Sequence, residues 1–156
     1  MSNNKVFSSS EQLFMFVKAK HFGDEETAMK ILQSGGTPLV AKKLGRQVKP
    51  FDDSEWNKVR YPLMCLVLHA KFDSDPKLRA VLLETEGNFV EASPRDRVWG
   101  IGMGAKNVNA TNPEAWRGGN LMGKALDLVR KVISENKPKS LLASTNLIEK
   151  FEFYFN

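Results

Sequence analysis

Apolar residues recur at helical spacing along most of this chain and switch to simple alternation only near its end. Ser8 and Glu11 have capping-box spacing. The run Leu13, Phe14, Met15, Phe16, Val17 behind them predicts a helix reaching about His21. Asp24 begins a second helix through Ile31 and Leu32, which Gly35-Gly36 stops, and Thr37-Pro38 begins a third that ends at Gly45. Asp52, Asp53 or Ser54 caps a longer one. In it Trp56, Val59, Leu63, Leu66, Val67 and Ala70 repeat at helical spacing, with Pro62 in its early turns or at a kink. Asp75-Pro76 opens another helix to about Glu84, and Leu121, Met122, Ala125, Leu128, Val129, Val132 and Ile133 mark a last one ending near Asn136.

The remaining segments read differently. Asn88 to Ala92 is short and extended in character, and 107–113 is an exposed loop. At the tail, Phe151, Phe153 and Phe155 alternate with Glu152 and Tyr154, which is strand periodicity. With no internal repeat or low-complexity tract, the pattern predicts one helix-rich α+β domain with a few short strands over 1–156.

Composition narrows the function more than the fold. The chain has 156 residues, enough for one domain with its own core, and no apolar run approaches the length of a membrane span. The polar start Met1–Lys5 lacks signal-peptide character, which predicts an intracellular protein, cytoplasmic or nuclear. Cys65 is the single cysteine and histidines number two, so no disulfide within the chain and no typical zinc cluster is expected. A net charge of +5 and a pI near 9.4 suit an anionic partner.

Candidate chemistry gathers at two places. The first is the loop from Asp96 through Trp99 to Gly100, Gly102 and Gly104, where glycines lacking a side chain let backbone N–H groups approach a ligand. The second is the first helix, apolar on most faces yet carrying Glu11 and Lys18. Seven residues are close to two turns, so these groups project from one side about 10 Å apart along the axis. On a buried surface both are costly unless they pair or face a polar cavity, although a cap for Glu11 and a snorkelling Lys18 fit the same residues. Trp56 suits either a core anchor or a plate for a base. Asn120 and Gly123 suit either phosphate binding or close packing. His21 and His69 lie on apolar patterns as packing residues.

Several separated blocks then match in order: Ser10-Glu11 with Lys18 and Phe22, the run from Thr37 to Arg46, Trp56, Ala70-Lys71-Phe72, the run from Leu78 to Leu83, Val90-Glu91, Asp96, Trp99-Gly100 and the run from Gly119 to Gly123. In these, from Phe7 to Arg130, the chain resembles the NADAR family, which includes the YbiA-like proteins. The resemblance implies an N-glycosidase that cleaves a bond between ribose and a base; no cofactor or metal is expected for it. It also implies one of two substrates. They are ADP-ribose on guanine in nucleic acid, which the positive charge favours, and phosphorylated ribosylamino-pyrimidine intermediates of riboflavin synthesis. The family's acidic, lysine, tryptophan and aspartate site residues fall on Glu11, Lys18, Trp56 and Asp96. Trp99, Gly100, Gly102, Asn120 and Gly123 are implied around the ligand. Three departures stand out: a Ser-Asn-Phe-like segment of relatives is not found before the first helix, Ile101 replaces a polar residue, and 105–113 is inserted. The phenylalanine-rich tail is a candidate to fill the place of that segment.

A ribosyl–base bond breaks with positive charge developing at the anomeric carbon, which a carboxylate stabilises. Asp96 and Glu11 are the candidates for this and for proton transfer. A neutral lysine attacks the anomeric carbon of an opened sugar to form an imine, and burial favours the neutral form of Lys18, which is expected to be either this nucleophile or the electrostatic partner of the leaving base. The competing classes are a module that binds ADP-ribose or another nucleotide without cleaving it, and a basic nucleic-acid-binding protein, for which no aromatic and basic motif is found.

Overall fold

The computed structural model describes residues 7–35 and 37–156; the polar start Met1–Lys5 and Gly36 of the second helix stop lie outside them. The described chain forms helices α1 (Ser10–His21), α2 (Glu25–Ser34), α3 (Pro38–Gly45), α4 (Asp53–Ser74), α5 (Pro76–Glu84), α6 (Leu121–Ser134) and α7 (Thr145–Phe153), with 3₁₀ turns at Pro113–Ala115 and Lys139–Leu141. No described residue is in a strand. The expected α+β class with short strands is therefore corrected to all-α.

Helix α1 lies at the centre, packed by α2, α3 and α4, while α6 and α7 cover α4 from other sides. Residues 12–17 and Ala19 of α1 are all buried. A polar side chain in that set needs partners, and Gln12 has them: its Nε2 donates to the Ile31 carbonyl at 2.9 Å, and its Oε1 accepts from Ser8. The cap is also one residue later than expected. The Ser9 hydroxyl accepts from the Gln12 N–H at 3.1 Å, which puts Gln12 in the capping-box position and releases Glu11 from it.

The local start signals held elsewhere. Asp24 caps α2, Gly35 ends it with φ of 51°, Thr37 precedes α3 with Pro38 in its first turn, and Asp75 caps α5. Asp52, with Asp53 one of the two aspartates expected to cap here, caps α4, and the helix runs on through Pro62.

Both strand expectations failed for identifiable reasons. Residues 89–91 find most of their partners in side chains, apart from the Glu91 carbonyl, which accepts from the Ile101 N–H at 2.9 Å and the Ser93 N–H at 3.0 Å. Asn120 donates through Nδ2 to the Phe89 carbonyl at 3.0 Å and accepts at Oδ1 from the Glu91 N–H at 2.9 Å, while Asp127 accepts from the Phe89 N–H at 2.9 Å. One amide thus stands in for a strand edge. At the tail, helical spacing prevails over alternation: Leu147, Phe151, Tyr154 and Phe155 are buried, while Phe153 points outward. The Phe155 ring packs against Phe7, Phe16 and Phe151, with centroids 6.1, 5.8 and 5.1 Å away, so the tail joins the core as a helix and its final turn.

This arrangement separates the tail phenylalanines energetically. Phe155 is 3% exposed and Phe153 71%. Phe155→Ala is expected to lower unfolding free energy by about 3–5 kcal/mol. Phe153→Ala should stay within roughly 0.5 kcal/mol of the parent. Denaturant unfolding of the two variants checks this, and equal losses at both positions would contradict the helical tail.

Candidate active site

Four of the expected site residues meet in one cavity of about 540 Å³ between α1, α4, α6 and the long loop before α6: Glu11, Trp56, Asp96 and Trp99. Helix α1 brings Glu11 and Phe14 to it, α4 brings Trp56, and the loop brings Asp96 and Trp99. The Phe14 ring lies between the two tryptophans, 5.3 Å from Trp56 and 5.5 Å from Trp99, the latter edge-on at 84°. These contacts make a continuous aromatic wall.

The carboxylates are held differently. Asp96 Oδ1 accepts from the N–H groups of Val98 at 2.9 Å and Trp99 at 2.8 Å, so the turn that presents Trp99 also fixes Asp96. Glu11 makes no hydrogen bond or ion pair with another described residue. Burial pushes its carboxyl above the usual range; the Lys42 ammonium opposes this, and the negative charges of Asp96 and Glu91 add to it. The result is a half-buried acid with raised proton affinity beside a fixed carboxylate.

Lys18 stands at the edge of this site rather than in its lining. Its Nζ lies 4.8 Å from the centroid of Phe51 and 5.5 Å from that of Trp56. Trp56 is the shared wall, facing Lys18 and lining the carboxylate cavity. Burial pulls the lysine's pKa below its ordinary value, and the nearby Arg46 charge lowers it further.

The remaining expected residues brace the loop and do not line the cavity. A Cβ on Gly100 would lie 2.8 Å from the Asp96 carbonyl oxygen and 3.0 Å from that of Glu91, so only glycine fits between these strands of loop. Gly102 has φ of +74°, in the left-handed region. Asn120, with φ of 53°, spends its side chain on residues 89 and 91 and its N–H on the Gly100 carbonyl. Gly123 lies where any side chain would strike Asn120 and the Phe89 carbonyl. Five N–H groups of 117–122 donate to carbonyls of 97–101, which ties the two arms of the loop together.

The cavity also includes Lys42, Lys71, Glu91 and Ser93, to which sequence patterning attached no role. Glu91 and Ser93 are joined by a tight turn in which the Ser93 N–H donates to the Glu91 carbonyl at 3.0 Å, and no periodicity in the sequence marks either. His21 proves to be more than a packing residue. Its Nδ1 lies 2.8 Å from the Tyr154 hydroxyl and its Nε2 3.1 Å from Glu55 Oε1, linking α7 to the start of α4 one residue before Trp56. Burial, aided by Glu55, pushes the Tyr154 hydroxyl up to about 12. Among the described residues no group of side chains is placed to hold a metal ion, and no helix is long and apolar enough to cross a membrane.

Comparison with known proteins identifies the family. The NADAR domain matches residues 1–134. N-glycosidase R617 of Acanthamoeba polyphaga mimivirus is 38% identical over 127 residues, covering 80% of this chain and 74% of that protein. Protein irg-1 of Caenorhabditis elegans is 35% identical over 128 residues, 80% of this chain and 60% of its own length. N-glycosidase YbiA of Escherichia coli (strain K12) is 32% identical over 108 residues, 69% of this chain and 65% of that protein. The match thus spans less than two thirds of the latter two relatives. With one domain pattern running through most of its length and shared sequence of this extent, the chain belongs to the NADAR family.

Proposed function

We propose that this protein is an N-glycosidase that cleaves a ribosyl–base bond, and that its substrate is ADP-ribose attached to guanine in nucleic acid. The observation that carries the reading is the pairing of Glu11 and Asp96 in one aromatic-walled cavity whose Trp56 wall also faces Lys18. The names of two relatives as N-glycosidases support the reaction class.

Each residue has a role that its surroundings suit. Glu11, with its raised proton affinity, gives a proton to the departing base as the glycosidic bond breaks. Asp96 faces the positive charge that develops at the anomeric carbon. Lys18, its pKa lowered by burial, attacks that carbon as the free amine, and the opened sugar is held as an imine. Water then adds to the imine, the amine leaves, and free ADP-ribose is released. Trp56 and Trp99 stack on the base or order the sugar. A pocket that only stored nucleotide would gain nothing from an acid tuned to hold its proton, which disfavours the binding-module reading.

Lys18→Ala is expected to reduce base release from an ADP-ribosylated DNA oligonucleotide at least about a hundredfold while the protein stays folded. Lys18→Arg keeps the charge over the rings but cannot form the imine, so it should be equally inactive. Mass analysis after borohydride treatment should find a covalent sugar adduct in the parent alone. Near-normal turnover of either variant would refute the nucleophile role.

The acid role makes a separate prediction. In a carbon-detected titration Glu11 should have a midpoint above 4.5. Asp96→Asn should move that midpoint down by removing a like charge, and Lys42→Gln should move it up by removing an opposite one. Glu11→Gln should lower kcat more than it raises KM, whereas Trp56→Ala should chiefly raise KM or lower stability. A Glu11 midpoint at the ordinary value would remove the basis for assigning it as the acid.

A further inference from the structure

The rings against which Lys18 lies are themselves backed by Phe22, the residue that caps the end of α1. Its N–H donates to the Lys18 carbonyl at 3.3 Å, and its ring packs on Phe51 at 5.1 Å and on Trp56 at 6.2 Å between centroids. Those are the two rings that the Lys18 ammonium faces. His21, one residue earlier, meets the Phe22 ring edge-on at 5.3 Å and is bonded at both of its ring nitrogens. The aromatic wall behind Lys18 is therefore held from outside the cavity.

The two bonds of His21 fix one orientation of its ring. A carboxylate only accepts, so Nε2 carries a hydrogen and donates to Glu55 Oε1 at 3.1 Å. In the neutral ring Nδ1 then accepts from the Tyr154 hydroxyl at 2.8 Å. The His21 side chain is 6% exposed and Tyr154 is buried, so this second bond is shielded from water. The need of a buried histidine for partners explains why there are two. It does not explain which residues supply them. Glu55 directly precedes Trp56 in the first turn of α4, and Tyr154 comes from the turn that closes α7, outside the 1–134 that match the NADAR domain. Through His21, that turn is tied to Phe22 on one side and to the start of the Trp56 helix on the other.

We propose that Tyr154, His21 and Glu55 are positioning residues, which hold Phe22 and Trp56, and with them the rings that Lys18 faces, in the arrangement its attack requires. This rests on the glycosidase reading, in which Lys18 is the nucleophile, and adds the turn after α7 to what sets that lysine's place. None of the three lines the cavity, so each acts through the aromatic rings and not on substrate. A loosened stack admits water around Lys18, which favours its charged form and leaves the amine less well aimed.

The test measures base release from an ADP-ribosylated DNA oligonucleotide, melting temperature, and a nitrogen-detected titration of Lys18 in the full chain. The variants are Tyr154→Phe, which deletes only the hydroxyl, Glu55→Ala, Glu55→Gln, which keeps an acceptor, and Tyr154→Phe combined with Glu55→Ala. Leu147→Ala is the control, because it truncates a buried residue of α7 that takes no part in the His21 bonds. Tyr154→Phe and Glu55→Ala should each lower kcat about tenfold while KM stays within about threefold of the parent. Glu55→Gln should recover kcat to within about threefold, and the combined variant should lose no more than either single change, since both act through one ring. The Lys18 midpoint, below 10.5 in the parent, should rise toward that value in Tyr154→Phe, which removes no charge, and stay in place in Leu147→Ala although that variant melts earlier. Parent kcat or a parent Lys18 midpoint in Tyr154→Phe, a Glu55→Gln protein as slow as Glu55→Ala, losses that multiply in the combined variant, or an equal kcat loss in Leu147→Ala would each overturn the proposal. If the parent releases no base while Tyr154→Phe still moves the Lys18 midpoint, the glycosidase reading fails and the positioning role stands. If base is released and Tyr154→Phe and Glu55→Ala keep parent kcat, the positioning role fails and the glycosidase reading stands.

Discussion

The structure depends on burying α1 from nearly every side, since that helix is the surface on which α2, α3 and α4 meet. Burial of this kind sorts polar groups into those that are satisfied and those that are left to act. Gln12 is satisfied, by the Ile31 carbonyl and by Ser8, and so it serves the core. Glu11, one position earlier, turns toward the cavity and has no such partner among the described residues. With Ser9 rather than Ser8 as the cap, the amide Gln12 takes the capping-box position and enters the fold, while the acid Glu11 is left to the cavity.

A second economy supports the loop. The chain between α5 and α6 contains no helix longer than one 3₁₀ turn, and its backbone groups still need partners. Asn120 supplies them for residues 89 and 91, and the arms 97–101 and 117–122 supply them for each other. The glycines at 100, 102 and 123 allow the close approaches that this bonding requires. Rigidity so obtained reaches the site directly, because the N–H groups that fix Asp96 belong to Val98 and Trp99 of the same braced arm.

These distinctions explain what could be read from sequence. Asp24, Thr37-Pro38 and Asp75 are local signals, and the helices they start were found with near-correct ends. The tail was misread because Phe151, Phe153 and Phe155 satisfy period two while Leu147, Phe151 and Phe155 satisfy period four, and only packing on Phe7 and Phe16 decides between them. Asn120 was ambiguous for a related reason, since its partners lie 29 and 31 residues away. Glu11, Trp56, Asp96 and Trp99 stand out in the sequence by residue type and order, and their convergence on one cavity is a fact of the fold. The place of Lys42 in the cavity was not legible, because it follows from how closely Gly45 of α3 meets Met15 of α1.

The spacing of Glu11 and Lys18 has a consequence for chemistry. Helical side chains pair at three or four residues, so a carboxylate and an ammonium seven apart, with Met15 between them, cannot offset each other's desolvation. Burial therefore acts on each alone, and in opposite senses: it raises the proton affinity of the acid and lowers that of the amine. Both shifts cost stability. The folded state holds more protons than the unfolded one above pH 4.5 through Glu11, so stability falls as pH rises through that window; below 10.5 it holds fewer through Lys18, so stability falls as pH drops there. Near neutrality the fold bears both penalties. What they leave is an acid in the cavity that keeps its proton longer and an amine across the Trp56 wall that gives one up sooner, the two opposite shifts that the proposed proton-donor and nucleophile roles require.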